Sequence, residues 1–431
     1  MDARLARLGF VLVLIAVVSV GGVAAPVRAQ MISGLFPDGV PGYAAEPGVT
    51  VVSRARPEFD PQGVRAGSFV LWPQIEETIG VNNNVLGGSP QRGSWTLGTS
   101  PSLRVASGLA LDSLGAYLAL SDTRYFDLPA QGRTDWTGSV GGQVAVGRDS
   151  LTLAVAHLAL HEDRTELDAL PSDQPIEYAV NDVRAAYALA LNRWSVTPAV
   201  DVATWRFGDA TILGVPSSQI YRDRNVLQGS VTARYEAAAQ RDLVVVLRGV
   251  DTGYVAAQPG VAAPNSTSVQ ALAGIDYAGS AVWRYRLLVG FERRAFAAAA
   301  YPAHTAPLVE GEVAWSPSGL TTLTGTVTRA IEDAAQAGVA GYTYTGARLR
   351  IDHEVFRNVL LQVSGGMQRA SFLGGGVQTG LLAGAGATWL INRQLRLSAT
   401  YDFTDSSSSG APAGLSTYAR DVALLTLRVA L

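Results

Sequence analysis

The feature that most constrains this chain is an alternation that runs to its last residue. In Tyr418 to Leu431, Leu425, Leu427, Val429 and Leu431 fall on one face, and Thr426, Arg428 and Ala430 fall on the other. That is the period of two that defines a strand. The segment before it repeats the pattern, with Leu395, Leu397, Ala399, Tyr401 and Phe403 alternating with Arg396, Ser398, Thr400 and Asp402. One side of each strand suits hydrocarbon and the other suits water.

Two solutions exist for many such strands: a soluble sandwich or propeller, or a closed barrel in a membrane. Charge decides between them. Only 16% of the 431 residues are charged, where a soluble chain carries about a quarter, so much of the surface does not face water. Past the N-terminal segment no apolar run reaches the roughly eighteen residues of a transmembrane helix, which leaves a barrel as the spanning structure. The rows opposite the apolar ones are rich in Ala, Gly, Ser and Thr, and small residues line a space better than they fill a core. The absence of cysteine fits an oxidising periplasm. A net charge of −3 gives no argument for nucleic acid.

Residues 1–29 read as a secretory signal peptide: Arg4 and Arg7, an apolar run from Leu8 to Ala25, and Val27-Arg28-Ala29 before the cut. Residues 30–67 are rich in Pro, Gly and Ala without sustained periodicity and read as an extended periplasmic leader. Residues 68–431 read as an all-β, transmembrane, antiparallel up-and-down barrel of about eighteen strands. The expected strands lie near 68–82, 94–106, 109–125, 134–147, 150–163, 177–191, 194–206, 225–239, 243–255, 267–279, 283–296, 306–316, 320–333, 342–355, 359–373, 377–390, 394–405 and 417–431. Short turns such as Arg148-Asp149, Asn192-Arg193 and Arg357-Asn358 alternate with longer loops such as 164–176, 207–224 and 406–416. Short connections mark the periplasmic end and long ones the extracellular end, and an even strand count returns both termini to the periplasm.

Parity places a set of charges opposite the apolar rows. Arg184 opposes Val183 and Ala185; Arg234 and Glu236 oppose Val231, Ala233 and Tyr235. Arg284, Arg286 and Glu292 oppose Leu287, Val289 and Phe291, while Arg348, Arg350 and Asp352 oppose Leu349 and Ile351. With Arg396, Asp402 and Arg428 they are the candidate lumen lining, because an arginine at the lipid midplane costs about 2–4 kcal/mol. Such a lining can stiffen the wall as ion pairs or favour anionic and hydroxyl-rich solutes. Trp72, Trp95, Trp136, Trp194, Trp283, Trp315 and Trp389 sit near strand ends, as interfacial girdles do. Metal and cofactor signatures are lacking: His157, His161, His304 and His353 have no ligand spacing, and His353 beside Glu354 is the one weak catalytic candidate. The reading is therefore a non-enzymatic barrel without cofactor, whose partners are outer-membrane lipid and the barrel-assembly machinery.

The opening strand, Phe69 to Val81 followed by Asn82-Asn83-Asn84, resembles the first strand of the putative β-barrel porin 2 family, which closes on an Asp/Asn-rich step. The layout over 68–431 is similar too, although Leu431 stands where a terminal aromatic is usual. The resemblance implies an outer-membrane conduit for exopolysaccharide export, with polysaccharide and a periplasmic export protein as partners. The alternatives are a general or anion-preferring solute porin, a non-conducting structural or adhesive barrel, and an outer-membrane hydrolase.

Overall fold

The computed structural model describes residues 34–37, 39–43, 49–109, 112–410, 415 and 417–431. Eighteen antiparallel strands close into one barrel. The wall runs Phe69–Asn82, Ser94–Ser107, Ser113–Tyr125, Arg133–Val146, Asp149–Glu162, Ile176–Leu191, Trp194–Phe207, Arg224–Ala238, Arg241–Tyr254, Ser266–Tyr277, Trp283–Phe296, His304–Ser318, Thr321–Glu332, Tyr342–Phe356, Val359–Phe372, Val377–Leu390, Leu395–Ser409 and Tyr418–Ala430. Each strand pairs with its sequence neighbour, and the first pairs with the last, Gln74 opposite Ala430 and Asn82 opposite Val422. The sheet thus closes on itself, as a bilayer requires. The expected signal peptide, 1–29, lies outside the described residues.

Below the last strand, the short strand Val64–Ala66 continues the seam by pairing with Phe69 to Leu71. The Gly63 N–H donates to the Leu431 carbonyl and the Leu431 N–H to the Pro73 carbonyl, both at 3.1 Å. At the other end the three asparagines lock the same seam. Asn83 donates to an Asp421 carboxylate oxygen at 2.6 Å and accepts from the Asp421 N–H at 2.7 Å. Asn84, fully buried, donates to the Gly88 and Ala419 carbonyls at 3.0 Å. Its own N–H is held by the Asn82 side chain at 3.0 Å.

Strands of 14 residues are common here, and at a barrel tilt they stand roughly 35 Å tall, more than the 25 Å apolar band. The tight turns take left-handed residues where a two-residue hairpin demands them: Gly147, Asn192 and Gln240. The apolar rows face out, with Leu425, Leu427 and Val429 all exposed. Aromatic pairs on adjacent strands mark the short-turn end, with Trp283 stacked on Trp315 at 5.3 Å and Trp194 against Tyr235 at 4.8 Å. Trp72 departs from the expected girdle. It shares the inward row of Glu76 and Thr78, and the Arg104 guanidinium lies 5.2 Å from its ring.

The loop 207–224 holds more order than its sequence announces. Ala210–Ile212 pairs with Val215–Ser217, across a two-residue turn in which Leu213 and Gly214 both take positive φ. A leucine is an uncommon first residue for such a turn, so the hairpin carries no strong sequence mark.

Candidate functional site in the barrel lumen

The extracellular mouth is crossed by the chain's own loops. The loop after Asp149–Glu162 reaches the far wall, where the Tyr418 hydroxyl donates to the Thr165 carbonyl at 2.5 Å and Arg420 donates to the Thr165 hydroxyl. Asp168 is wholly buried. Its N–H donates to the Gln378 amide oxygen at 2.9 Å, and its carboxylate accepts the Ala335 N–H at 2.7 Å. Leu170, Ile176 and Ala335 then form a small apolar cluster that joins this loop to the one after Thr321–Glu332. Beneath it Arg222 pairs with Glu162, their side chains 2% and 3% exposed. Arg224 and Arg294 share Asp333 at 3.0 and 2.9 Å.

From the other end the leader enters. The sequence reading places 30–67 in the periplasm, yet Phe36, Val40 and Tyr43 are buried against Ala154, Ala156, Leu158, Val180 and Trp205 of the wall. Small wall residues make this approach feasible: a Cβ on Gly141 would collide with the Pro41 carbonyl, and one on Gly42 with the Ala154 methyl. Arg184 donates to the Gly42 carbonyl at 2.9 Å with its guanidinium 5.2 Å from the Tyr43 ring, and the Tyr43 hydroxyl donates to the Asp182 carbonyl at 3.3 Å. Burial pushes the Tyr43 phenol above its ordinary range, and the Asp182 carboxylate adds to the shift.

Further along, the leader lies on the opposite wall. The Val51 N–H donates to the Thr322 hydroxyl at 3.1 Å, and Arg54 and Arg56 converge on Glu354, the latter at 2.8 Å. Asp60 pairs with Arg396 at 3.1 Å.

The candidate lining residues differ in what they meet. Some are neutralised within the wall: Arg184 by Asp201 at 2.7 Å, Arg234 by Asp276 at 2.9 Å, Arg350 by Asp352 at 2.8 Å, and Glu292, fully buried, by Arg294 at 3.4 Å. Others meet a hydroxyl or stand in register with acids: Arg348 donates to Ser364 at 3.1 Å, and Arg286 lies opposite Glu312 and Asp276. Asp402 lies across from Gly384 and Val422. Glu236 and Arg284 sit near the short-turn rim, Glu236 exposed. Arg396 and Arg428 are register partners. Sequence parity gives no sign of the partners from the leader; Arg248, which the sequence reading omits although it opposes Val245 and Leu247, pairs with Glu310 at 2.5 Å.

Open spaces remain in the lumen. One, about 1260 Å³ including open solvent, is bordered by Arg184, Asp201, Arg224, Arg248, Glu310 and Asp333 among others. Another, about 930 Å³, lies between the leader and the last strands. Among the described residues there is no group of three or more potential metal ligands. His353 hydrogen-bonds the Thr321 hydroxyl at 2.9 Å and is exposed on the row of Leu349 and Ile351.

Residues 56–431 match the sequence model of a family described as putative beta-barrel porin 2. The chain belongs to that family. It is an outer-membrane β-barrel of the porin or transporter kind. Similar solved structures include the FrpB iron transporter from Neisseria meningitidis (F5-1 variant), at 10% identity and TM-score 0.47, over 82% of this chain and 65% of that one. This chain therefore spans less than two thirds of the transporter's length. OpdK from Pseudomonas aeruginosa aligns at 11% identity and TM-score 0.45, over 84% and 99% of the two chains. OccK2 (OpdF) from the same organism gives 12% and 0.46, over 84% and 98%. No curated protein matches the sequence.

Proposed function

We propose that this barrel is a gated, non-enzymatic conduit for export of a polysaccharide across the outer membrane, closed in the conformation described. The observation that carries this reading is the character of the lumen wall, in which guanidinium groups are mostly matched by carboxylates and interleaved with hydroxyls. Such a wall offers many weak, exchangeable hydrogen bonds without a strong net field, which suits a sliding hydroxylated chain better than a small ion selected by charge. Closure at the mouth by the Asp168 loop and from below by the leader calls for a signal that moves one of them. A periplasmic export protein that draws the leader out is the partner this reading requires.

The test is planar-bilayer conductance of the full refolded chain, with and without neutral and acidic oligosaccharides, beside a measurement of surface polymer in a deletion strain. We expect low conductance that rises when the leader's anchor is removed by Glu354→Gln, block by oligosaccharides, and loss of surface polymer on deletion. Intact surface polymer with reduced small-solute uptake would replace export with a solute porin. Silence of wild type and variant alike under all voltages would leave a structural barrel.

A further inference from the structure

We propose that the lower lumen contains an oxyanion-binding site built on Arg396 and Arg428, which takes a carboxylate or phosphate group. The two arginines are direct cross-strand partners on the inward rows of the last two strands. Like charges placed opposite one another destabilise a sheet, and departures from such local rules concentrate at functional positions. Here the departure borders the open space between the leader and the last strands.

The donors facing that space are incompletely used. The Nε atoms of both Arg396 and Arg428, and the Thr400 hydroxyl oxygen, are buried without a hydrogen-bond partner among the described residues. Glu76 stands opposite Arg428 in register on its other side and borders the same space. A carboxylate of the leader engages the site directly: Asp60 reaches Arg396 at 3.1 Å. Its second oxygen is held by the Arg56 N–H.

Asp60 therefore shows the chemistry the site accepts. A guanidinium presents a planar fork that matches carboxylate and phosphate oxygens. Neighbouring strands about 4.8 Å apart bring two such forks to one anion. An oxyanion that engages both arginines takes the position of Asp60, so its binding competes with the leader's own contact. Either the acidic sugar of a polymer or a free oxyanion supplies this chemistry. The site depends on the conduit reading only for the source of its ligand, and binding is read without flux, so the two ideas fail separately.

The test uses the full refolded chain in detergent, titrated calorimetrically with inorganic phosphate, trigalacturonate and maltotriose. At least one anion is expected to bind saturably, and maltotriose is not. Arg428→Gln is expected to weaken the anion about tenfold or more, as loss of a charged hydrogen-bond partner does. Asp60→Asn is expected to tighten it several-fold by removing the internal competitor. Arg428→Gln relieves the Arg–Arg repulsion, so the barrel should fold, and its heat-modifiable gel shift checks that. Phosphate binding as tightly as trigalacturonate identifies a free oxyanion as the ligand, and tighter trigalacturonate identifies an acidic polymer. Both support the site. Absence of saturable anion binding up to about 10 mM, unchanged affinity in Arg428→Gln, or equal binding of maltotriose overturns it.

Discussion

Two segments enter the lumen from opposite ends and are held there by different physics. At the mouth the loops are anchored at both ends by strands, and their charged contact, Glu162 with Arg222, is almost wholly removed from solvent, at 3% and 2% exposure. The leader runs from the seam as a single strap. Two of its ion-pairing side chains are wetter, Arg54 at 31% exposed where it meets Glu354 and Asp60 at 37% against Arg396, while Arg56, at 9%, meets the same Glu354. A pair sealed from water is costly to break and insensitive to salt, whereas a wet pair is worth little and is screened. The mouth is thus held by the drier pair, and the leader in part by wet ones.

The largest expected effect breaks the mouth. Glu162→Ala strands the Arg222 guanidinium in a buried site, an event that costs about 3–5 kcal/mol. Hydrogen exchange across 208–223 should rise steeply while the leader's protection is retained. Equal loosening of both regions would mean that they are one cooperative unit and that the contrast drawn here is wrong.

A middle-sized effect sharpens the contrast from the leader's side. Glu354→Gln removes the negative charge shared by Arg54 and Arg56 and should weaken the strap by about 1–3 kcal/mol. Raising salt to 1 M, where the Debye length is about 3 Å, should mimic it. Protease susceptibility of the leader segment 49–63 is the readout, and the loop 163–175 should not respond. A salt response confined to the mouth loops would reverse the assignment.

The contrast also separates what the sequence discloses from what it does not. The wall is legible because a period of two is local: Leu425, Leu427 and Val429 announce their face within a few residues. The seam lock is half legible, since Asn82-Asn83-Asn84 stands out but Asp421, its partner, lies at the far end of the chain. The leader's place was hidden, because a Pro/Gly/Ala-rich stretch has no periodicity. Its contacts join Tyr43 to Asp182 and Asp60 to Arg396, pairs that only closure of the ring brings together. The rows of the inward arginines follow from parity. Their neutralisation follows only in part: Asp352 sits two residues from Arg350 on the same row, whereas Asp201 and Asp276 come from neighbouring strands and Asp60 from the strap.

The smallest effect concerns the leader's inner end. Tyr43→Phe keeps the ring against Ala154 and Leu158 but removes the hydroxyl that donates to the Asp182 carbonyl, and should cost about 0.5–1.5 kcal/mol of docking. The phenol's upward shift fixes the sign of the pH response. A group whose pKa rises on docking adds stability that is fully present below its free value, near 10 for tyrosine, and is lost as pH climbs through the docked value. Exchange protection of residues 39–43 should therefore be flat from pH 7 to about 10 and decline above that, while Tyr43→Phe stays flat in the alkaline limb. A decline above about pH 10 that persists in Tyr43→Phe would show that the phenol does not carry the response.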